Sequence, residues 1–398
     1  MAEMKIPYSR VLCDGNELAY VREVLESGWL TTASKTLEFE KKFGAAVGAR
    51  HACAVNSGTA ALHLALEALG VGPGSRVFVP AMTFTASAEV IRYLNADPVF
   101  LDVEYGTSLL TPEALNEAAA RHPGVQTVVV VHYGGQAAQM TAERTEGILD
   151  VCRRKGIRVV EDAAHAFPSR RGGRLVGTFG DVTCFSFYAN KTITTAEGGM
   201  LVTEDDRVAA RAKVMRLHGI DRDIWNRYVS DKPSWEYDVV APGFKYNLPD
   251  VAAAIGLAQL ERAEALRKER ERCARYYMEA LAGIPGLDLP ELQVGFEDHA
   301  WHLFPVVLTP DAPLSRDRCV ERLADRGIGT SVHYKPLYRM TYYREKYGLN
   351  PADYPHSERI WKGCLSLPIY PDLRPDELRH ICRSLREIFS GRGGGEAV

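Results

Sequence analysis

Two residues are placed to do covalent chemistry. Asp162 closes the apolar run Val159-Val160-Glu161, and Lys191 follows the aromatic stretch Cys184-Phe185-Ser186-Phe187-Tyr188. The first run predicts a buried strand that delivers Asp162 to its C-terminal edge. A lysine just past a strand of aromatics, with Thr192, Thr194 and Thr195 behind it and the break Gly198-Gly199 beyond, suits a Schiff-base amine. Partial desolvation lowers the amine pKa, so a useful fraction is neutral and nucleophilic. Asp162 then supplies the anion that keeps a pyridinium nitrogen protonated, which makes the ring an electron sink. Taken singly, a strand-end Asp and a loop Lys are more often a salt bridge or solvated charges. The ordered series Asp162, His165, Ser186, Lys191, Gly198-Gly199 favours the chemical reading.

A second candidate is Ser57-Gly58-Thr59, between the short run 51–56 and an Ala/Leu-rich helix reaching Leu69. Strand, Ser-Gly-Thr turn and helix N-terminus bring free N–H groups and two hydroxyls to the positive end of a dipole, an anion site. Ser and Thr are also ordinary caps, so alone the turn reads either way. Beside Lys191 and Asp162, a cofactor phosphate is the better reading. His165, close behind Asp162, is structural or cofactor-facing.

Positioning these groups requires a sheet. Strands are predicted at 51–56, 76–80, 98–103, 126–132, 158–162 and 184–188, and helices at 15–27 (capped by Asp14), 36–47, 59–69, 111–121, 141–155 and 205–217, with another reaching 94. Strand–helix–strand alternation implies βαβ units and a mostly parallel sheet flanked by helices. Ligands on such sheets sit beyond the carboxyl ends of the strands. Asn56 to Thr59, Thr83-Phe84, His132-Tyr133, and Asp162 with His165 all fall at such ends. A long aromatic-rich loop covers 220–246. One helix is predicted over 250–281, a strand over 300–309, a helix over 316–326, a second strand across GIGTSVHY, and a last helix over 375–389. The charged groups around Tyr338–Tyr347 read as surface. The expected division is a large α/β domain (1–250), a small C-terminal α+β domain (251–390) and a disordered Gly-rich tail (391–398).

Composition narrows the classes. Of 398 residues, 46% are hydrophobic and 25% charged, and Lys+Arg of 48 against Asp+Glu of 51 gives a net charge of −3. That is ordinary for a soluble globular protein and offers no basic patch for nucleic acid. No apolar run is long enough for a membrane span, and no apolar leader precedes the first helix. The eight cysteines form no CxxC pair or metal-ligand spacing and read as reduced core thiols of a cytoplasmic protein, with no metal expected. A GxGxxG after the first strand and a GxxxxGK[ST] are both lacking, which argues against dinucleotide and P-loop enzymes.

The stretches EDAAHA, GTFGDVTCFSFYANKTITTAEGGM and PGFKYNLPDVAAAIGLAQL resemble the DegT/DnrJ/EryC1/StrS sugar aminotransferases, and the resemblance runs from about Pro7 to Ile388. It implies the type I fold of pyridoxal-phosphate (PLP) enzymes, with PLP held by Lys191 and its ring nitrogen by Asp162. It implies Phe84 stacked on the pyridine face, His165 near the phenolic oxygen or ring, and Ser57, Gly58, Thr59 and Ser186 around the phosphate. It also implies a homodimer with shared active sites, in which Asn247 reaches the partner's phosphate. Thr31, in a Gly-Trp-Leu-Thr-Thr loop where Ala33 replaces the usual Gly, and His333 and Tyr334 are implied sugar contacts.

By the same resemblance L-glutamate donates the amine, Lys191 moves the proton, and the acceptor is a ketone carbon of a nucleotide-linked sugar. HAWHLFPVVL, RDRCVERLADRGIGTSVHYKPLY and HSERIWKGCLSLPIYPDL resemble the branch acting at C4 of UDP-4-keto sugars, which includes enzymes forming UDP-4-amino-4-deoxy-L-arabinose. A UDP-4-keto-6-deoxyhexose and a 3-keto dTDP sugar are the competing acceptors. Related dehydratases replace the lysine with histidine, and a non-catalytic regulatory member would be expected to lose Lys191 or Asp162. Both residues are present.

Overall fold

The computed structural model describes residues 4–143, 145–221 and 237–391. In its first part the strands are β1 (His51–Val55), β2 (Arg76–Pro80), β3 (Asp97–Leu101), β4 (Thr127–Val131), β5 (Arg158–Asp162), a small hairpin β6 (Arg170–Arg171) and β7 (Arg174–Leu175), β8 (Val182–Ser186) and β9 (Gly199–Thr203). The helices there are α1 (Glu17–Ser27), α2 (Ser34–Val47), α3 (Gly58–Ala68), α4 (Ala86–Tyr93), α5 (Pro112–Arg121), α6 (Ile148–Lys155) and α7 (Asp206–Met215).

Seven strands form one sheet in the order β1-β9-β8-β5-β4-β2-β3. β3, β2, β4, β5 and β8 run parallel, and β9 is antiparallel to both neighbours. β4 is buried throughout, as a strand covered on both faces requires. The order puts β5 beside β8 and pairs Asp162 with Cys184, so the Asp162 edge and the strand leading to Lys191 are neighbours.

Further along are α8 (Asp250–Glu261), α9 (Ala263–Leu281), β10 (Leu287–Asp288), β11 (Phe304–Leu308), α10 (Arg316–Ala324), α11 (Thr341–Tyr347), α12 (Pro355–Gly363), β12 (Cys364–Leu367) and α13 (Pro375–Phe389). β10, β11 and β12 form a three-stranded antiparallel sheet, with its own core of Tyr277, Trp301, Phe304, Leu365 and Ile381.

Several expectations need correction. The helix expected over 250–281 breaks at Arg262 (φ −113°, ψ 3°), whose guanidinium pairs with Asp14. Asp14 is therefore not the cap of α1, where Asn16 stands. The helix expected from 141 starts at Ile148, because Gly147 passes so close to Thr141 that a Cβ would lie 2.4 Å from its carbonyl carbon. No strand spans GIGTSVHY. Ile328 and Ser331 make only isolated bridges, to Ile6 and Ser366, because Gly327 (φ +74°) and Gly329 let the N-terminal segment press against the chain. The third strand is instead β12, too short to show a period. Tyr338 and Tyr343 are core residues and Arg339 pairs with Glu358, so the 338–347 segment is only partly surface. Cys13 is exposed, unlike the other cysteines. Of α1's apolar stripe only Val24 is buried, while Leu18 and Leu25 are 72% and 57% exposed. Residues 222–236 of the long loop, and the tail beyond 391, lie outside the described residues.

The Thr31-Thr32-Ala33 loop is fixed from a distance. Asp250, buried at the start of α8, accepts the N–H groups of Ala33 (2.7 Å), Lys35 (3.0 Å) and Thr36 (3.0 Å) and the Thr36 hydroxyl (2.7 Å). It caps α2 in place of a local side chain. Ala33 sits at φ −157°, outside the left-handed region that favours Gly. Asp250→Ala leaves three backbone N–H groups short of an acceptor and is expected to cost about 2–4 kcal/mol. Urea unfolding at fixed protein concentration measures this, and a loss below about 0.5 kcal/mol would mean that water replaces the carboxylate.

Candidate active site

The carboxyl ends of β4, β5 and β8 open onto a cavity of about 290 Å³, lined among others by Ser57, Gly58, Thr59, Phe84, Asp162, His165, Ser186, Lys191, His333 and Tyr334. Residues separated by nearly the whole length of the chain thus share one space. Thr31 and Asn247 do not join them. They line a separate pocket with Lys213, Arg216 and Lys245, where Asn247 Nδ2 donates to Thr32 Oγ1 at 2.7 Å. His132, expected at a strand end, also stays out. It is fully buried behind the sheet edge against Glu161, with Nε2 2.8 Å from Oε2.

Strand alternation separates two adjacent acids. Glu161 turns inward, where Thr183 Oγ1 (2.7 Å), Gly180 N–H (2.7 Å) and Phe179 N–H (3.1 Å) donate to Oε1. Burial opposes its charge, but His132 and these donors outweigh burial and hold its carboxyl below the usual range. Asp162 turns toward the cavity. Ser87 Oγ donates to its Oδ2 (2.7 Å) and the Ala164 N–H to its Oδ1 (3.1 Å). Burial nevertheless prevails and pushes the Asp162 carboxyl up.

Lys191 shows the opposite effect. Burial brings its amine down to about 8; Asp162 opposes this and Arg270 adds to it. The site therefore contains an acid and an amine whose charges burial opposes. Nζ lies 3.4 Å from Nε2 of His302, a residue to which the sequence assigned no role. His302 falls in the stretch expected to be strand, but β11 begins only at Phe304. Trp301, at φ +51°, bends the chain and turns His302 toward the lysine.

The imidazoles are held neutral. Burial lowers His165 and His302 well below the ordinary value and His333 to about 4, and the Lys191 charge acts in the same direction on all of them. For His165 the network fixes the tautomer. Nδ1 accepts the Gly134 N–H (3.2 Å), so the proton sits on Nε2 and is donated to Tyr334 Oη (3.0 Å). The Tyr334 hydroxyl hydrogen is then left to point elsewhere. Burial raises that phenol, so it stays protonated. Phe84 is no core residue. It is 56% exposed at the cavity wall, its ring 5.9 Å from that of Tyr334.

The residues present fit PLP. At the start of α3, Ser57 Oγ caps the Ala60 N–H (3.0 Å), leaving the Gly58 and Thr59 amides ahead of the first helical bonds. A Cβ on Gly58 would lie 2.9 Å from Ser186 Cβ, and one on Gly199 would lie 2.4 Å from Ser57 O. Only glycines keep this cradle open and close-packed. An anion there, an unneutralised carboxylate in Asp162 and a low-pKa amine in Lys191 match the phosphate, ring nitrogen and aldehyde of that cofactor.

Comparison with known proteins agrees. The chain is 43% identical over 390 residues to the spore coat polysaccharide biosynthesis protein SpsC of Bacillus subtilis, covering 97% of each. Its fold matches the PMP form of the putative sugar aminotransferase Spr1654 from Streptococcus pneumoniae, with a TM-score of 0.89 and 29% identity over 97% of this chain and 100% of that one. It likewise matches Helicobacter pylori PseC, an aminotransferase involved in the biosynthesis of pseudoaminic acid (TM-score 0.89, 26% identity, 98% and 100% covered). The fold is type I and the cofactor is PLP. With residues 12–386 matching its family model, the chain belongs to the DegT/DnrJ/EryC1/StrS aminotransferase family.

Proposed function

We propose that the protein transfers an amino group from L-glutamate to a ketone carbon of a nucleotide-linked sugar, with C4 of a UDP-4-keto sugar as the favoured acceptor. The observation that carries this reading is the buried Lys191 amine, lowered to about 8, sharing one cavity with Asp162 and the Ser57–Thr59 cradle. The sugar part draws support from the relatives' names, which refer to polysaccharide, sugar and pseudoaminic acid chemistry. The aromatic wall of Phe84 and Tyr334 beside the His333 imidazole offers a flat, hydrogen-bonding surface of the kind a sugar ring needs.

When bound, PLP supplies an electrophilic carbon for the amine and a ring that accepts electrons. The chain's residues do the rest. The Gly58 and Thr59 amides with Ser57, Thr59 and Ser186 hold the phosphate, and Asp162 holds a proton on the ring nitrogen. Lys191 Nζ, once released, would take the proton from the donor's α-carbon and return it to the carbon on the other side of the transferred nitrogen. His302 is within reach to share that proton.

The same reading makes the active enzyme a homodimer in the cytoplasm. Asn247, Thr31 and Lys245 then complete the partner's site rather than their own, which accounts for their separate pocket. Leu18, Leu25, Leu30 and Leu37 are exposed on α1, α2 and the loop between them, and suit burial against a second copy. Residues up to about 250 form the large domain and those beyond it the small one.

An absorbance spectrum is the first test. The protein as purified is expected to be yellow, with a visible band that L-glutamate bleaches, and a panel of UDP-4-keto, UDP-4-keto-6-deoxy and 3-keto dTDP sugars is expected to restore it with the first. No band after PLP is supplied would put a binding role in place of catalysis. Lys191→Ala is expected to abolish turnover with an unchanged circular dichroism spectrum; full activity would sink the assignment. For Asp162→Asn a loss of about 10³-fold is expected, about 4 kcal/mol in the barrier. A loss below about tenfold would remove Asp162 from the ring-nitrogen role.

A further inference from the structure

Arg270, on α9, is 2% exposed, and among the described residues no carboxylate pairs with it. A buried guanidinium ordinarily lies against an acid, and an unpaired buried charge is costly. Here it faces backbone carbonyls instead. Nη1 donates to Ile369 O (2.8 Å) and Trp301 O (3.5 Å), and Nη2 donates to Asn190 O (3.4 Å). Asn190 immediately precedes Lys191, and Trp301 immediately precedes His302. One planar group thus spans the two backbone points from which the meeting side chains leave, and these side chains lie 3.4 Å apart. Arg270 Nε, Asn190 Oδ1 and His302 Nδ1 are also buried without partners. Stability alone gives no reason for such an arrangement, since an apolar side chain would avoid both the charge and the orphaned donor.

We propose that Arg270 is a positioning residue for the Lys191–His302 pair: its fork fixes both side chains through the carbonyls that precede them, and its charge stands unneutralised behind the lysine amine.

The groups facing Lys191 come from several elements: Asp162 from β5, His165 from the turn after it, His302 from the bend before β11, His333 from the segment before α11, and Arg270 from α9. Burial keeps the histidines neutral, and Tyr334 stays protonated. The charged neighbours are therefore Asp162 and Arg270, with opposite effects. Burial lowers Arg270 itself to about 10, against Tyr8 and Cys273, so it remains cationic at neutral pH. The fixed cation adds to burial in favouring the neutral, nucleophilic amine, against the opposing pull of Asp162.

This rests on Lys191 being the reactive amine, but its test does not depend on the acceptor sugar. The full chain, freed of cofactor, is treated with cyanate across pH, and carbamylation of Lys191 is followed by peptide mass spectrometry. The unsubstituted protein is expected to reach half-maximal labelling near pH 8. Arg270→Met is expected to raise that midpoint by about one unit, whereas Arg270→Lys, which keeps the charge without the fork, holds it within about 0.3 unit. In the reconstituted enzyme, Arg270→Lys is expected to lower kcat about tenfold with KM unchanged. A merely structural arginine would not divide the two readouts in this way. An unmoved midpoint in Arg270→Met overturns the proposal. Should that variant fail to fold, the second neutral variant Arg270→Gln decides: a midpoint raised by about one unit supports the charge role, and an unmoved one overturns it.

Discussion

The structure depends on one electrostatic constraint: a lysine amine and an aspartate carboxyl share a cavity that desolvates both. In water each would be fully charged. Here burial works against both charges, lowering Lys191 and raising Asp162. Desolvating both groups is costly, and a bound group that takes up the amine and pairs with the carboxylate offsets that cost. PLP meets that need, with a ring nitrogen that can carry the positive charge Asp162 lacks and a carbon that can take the neutral amine. The sheet order follows from the same need, because a parallel β5–β8 pair brings the Asp162 edge next to the strand that leads to Lys191.

Around that pair the protein's hydrogen bonds orient the neighbouring side chains. Glu161 and His132 form a saturated network behind β5, in which His132 Nδ1 accepts the Ala138 N–H (3.0 Å) and Nε2 donates to Glu161. His165 is locked between Gly134 and Tyr334, and His333 Nδ1 meets Ser366 Oγ at 2.9 Å. Neutral imidazoles beside Lys191 add polar contacts without adding positive charge. They leave Asp162 and Arg270 to set the electrostatics of the amine.

Much of this was legible in the sequence because the sheet is built of short, continuous apolar strands. Asp162 and the Ser57–Thr59 turn were placed at strand ends by that pattern, and it was their combination with Lys191, not any one of them alone, that pointed to a cofactor. Other features were set by tertiary contacts that leave no period. The cap of α2 is Asp250, far away in the chain, and no local pattern announces it. The break at Arg262 reflects its pairing with Asp14 and not a helix-breaking residue. His302 was hidden because its stretch reads as strand, while a positive φ at Trp301 turns it into a bend. Arg270 was hidden because a helix rich in Arg and Glu looks like a solvated face. Arg267, itself buried, pairs with Glu264 and Glu271, whereas among the described residues no acid pairs with Arg270.

The pocket that holds Thr31 and Asn247 gains meaning from the same electrostatic argument. It gathers Lys213, Arg216, Lys245 and an amide around an open space, with Asp221 as the acid on its wall. Arg216 is already committed to Glu40. Lys245 is exposed and, among the described residues, donates to the Asn247 side-chain oxygen. A lysine and an amide held ready beside exposed leucines are poorly used within a single chain. Placed against a second copy, they would bring positive charge and an amide donor toward a phosphate already seated on a helix N-terminus. The α3 cradle alone offers that dianion two amides and a few hydroxyls. A cation and an amide from a partner would supply what the cradle lacks, so in the proposed dimer cofactor binding and subunit association reinforce one another.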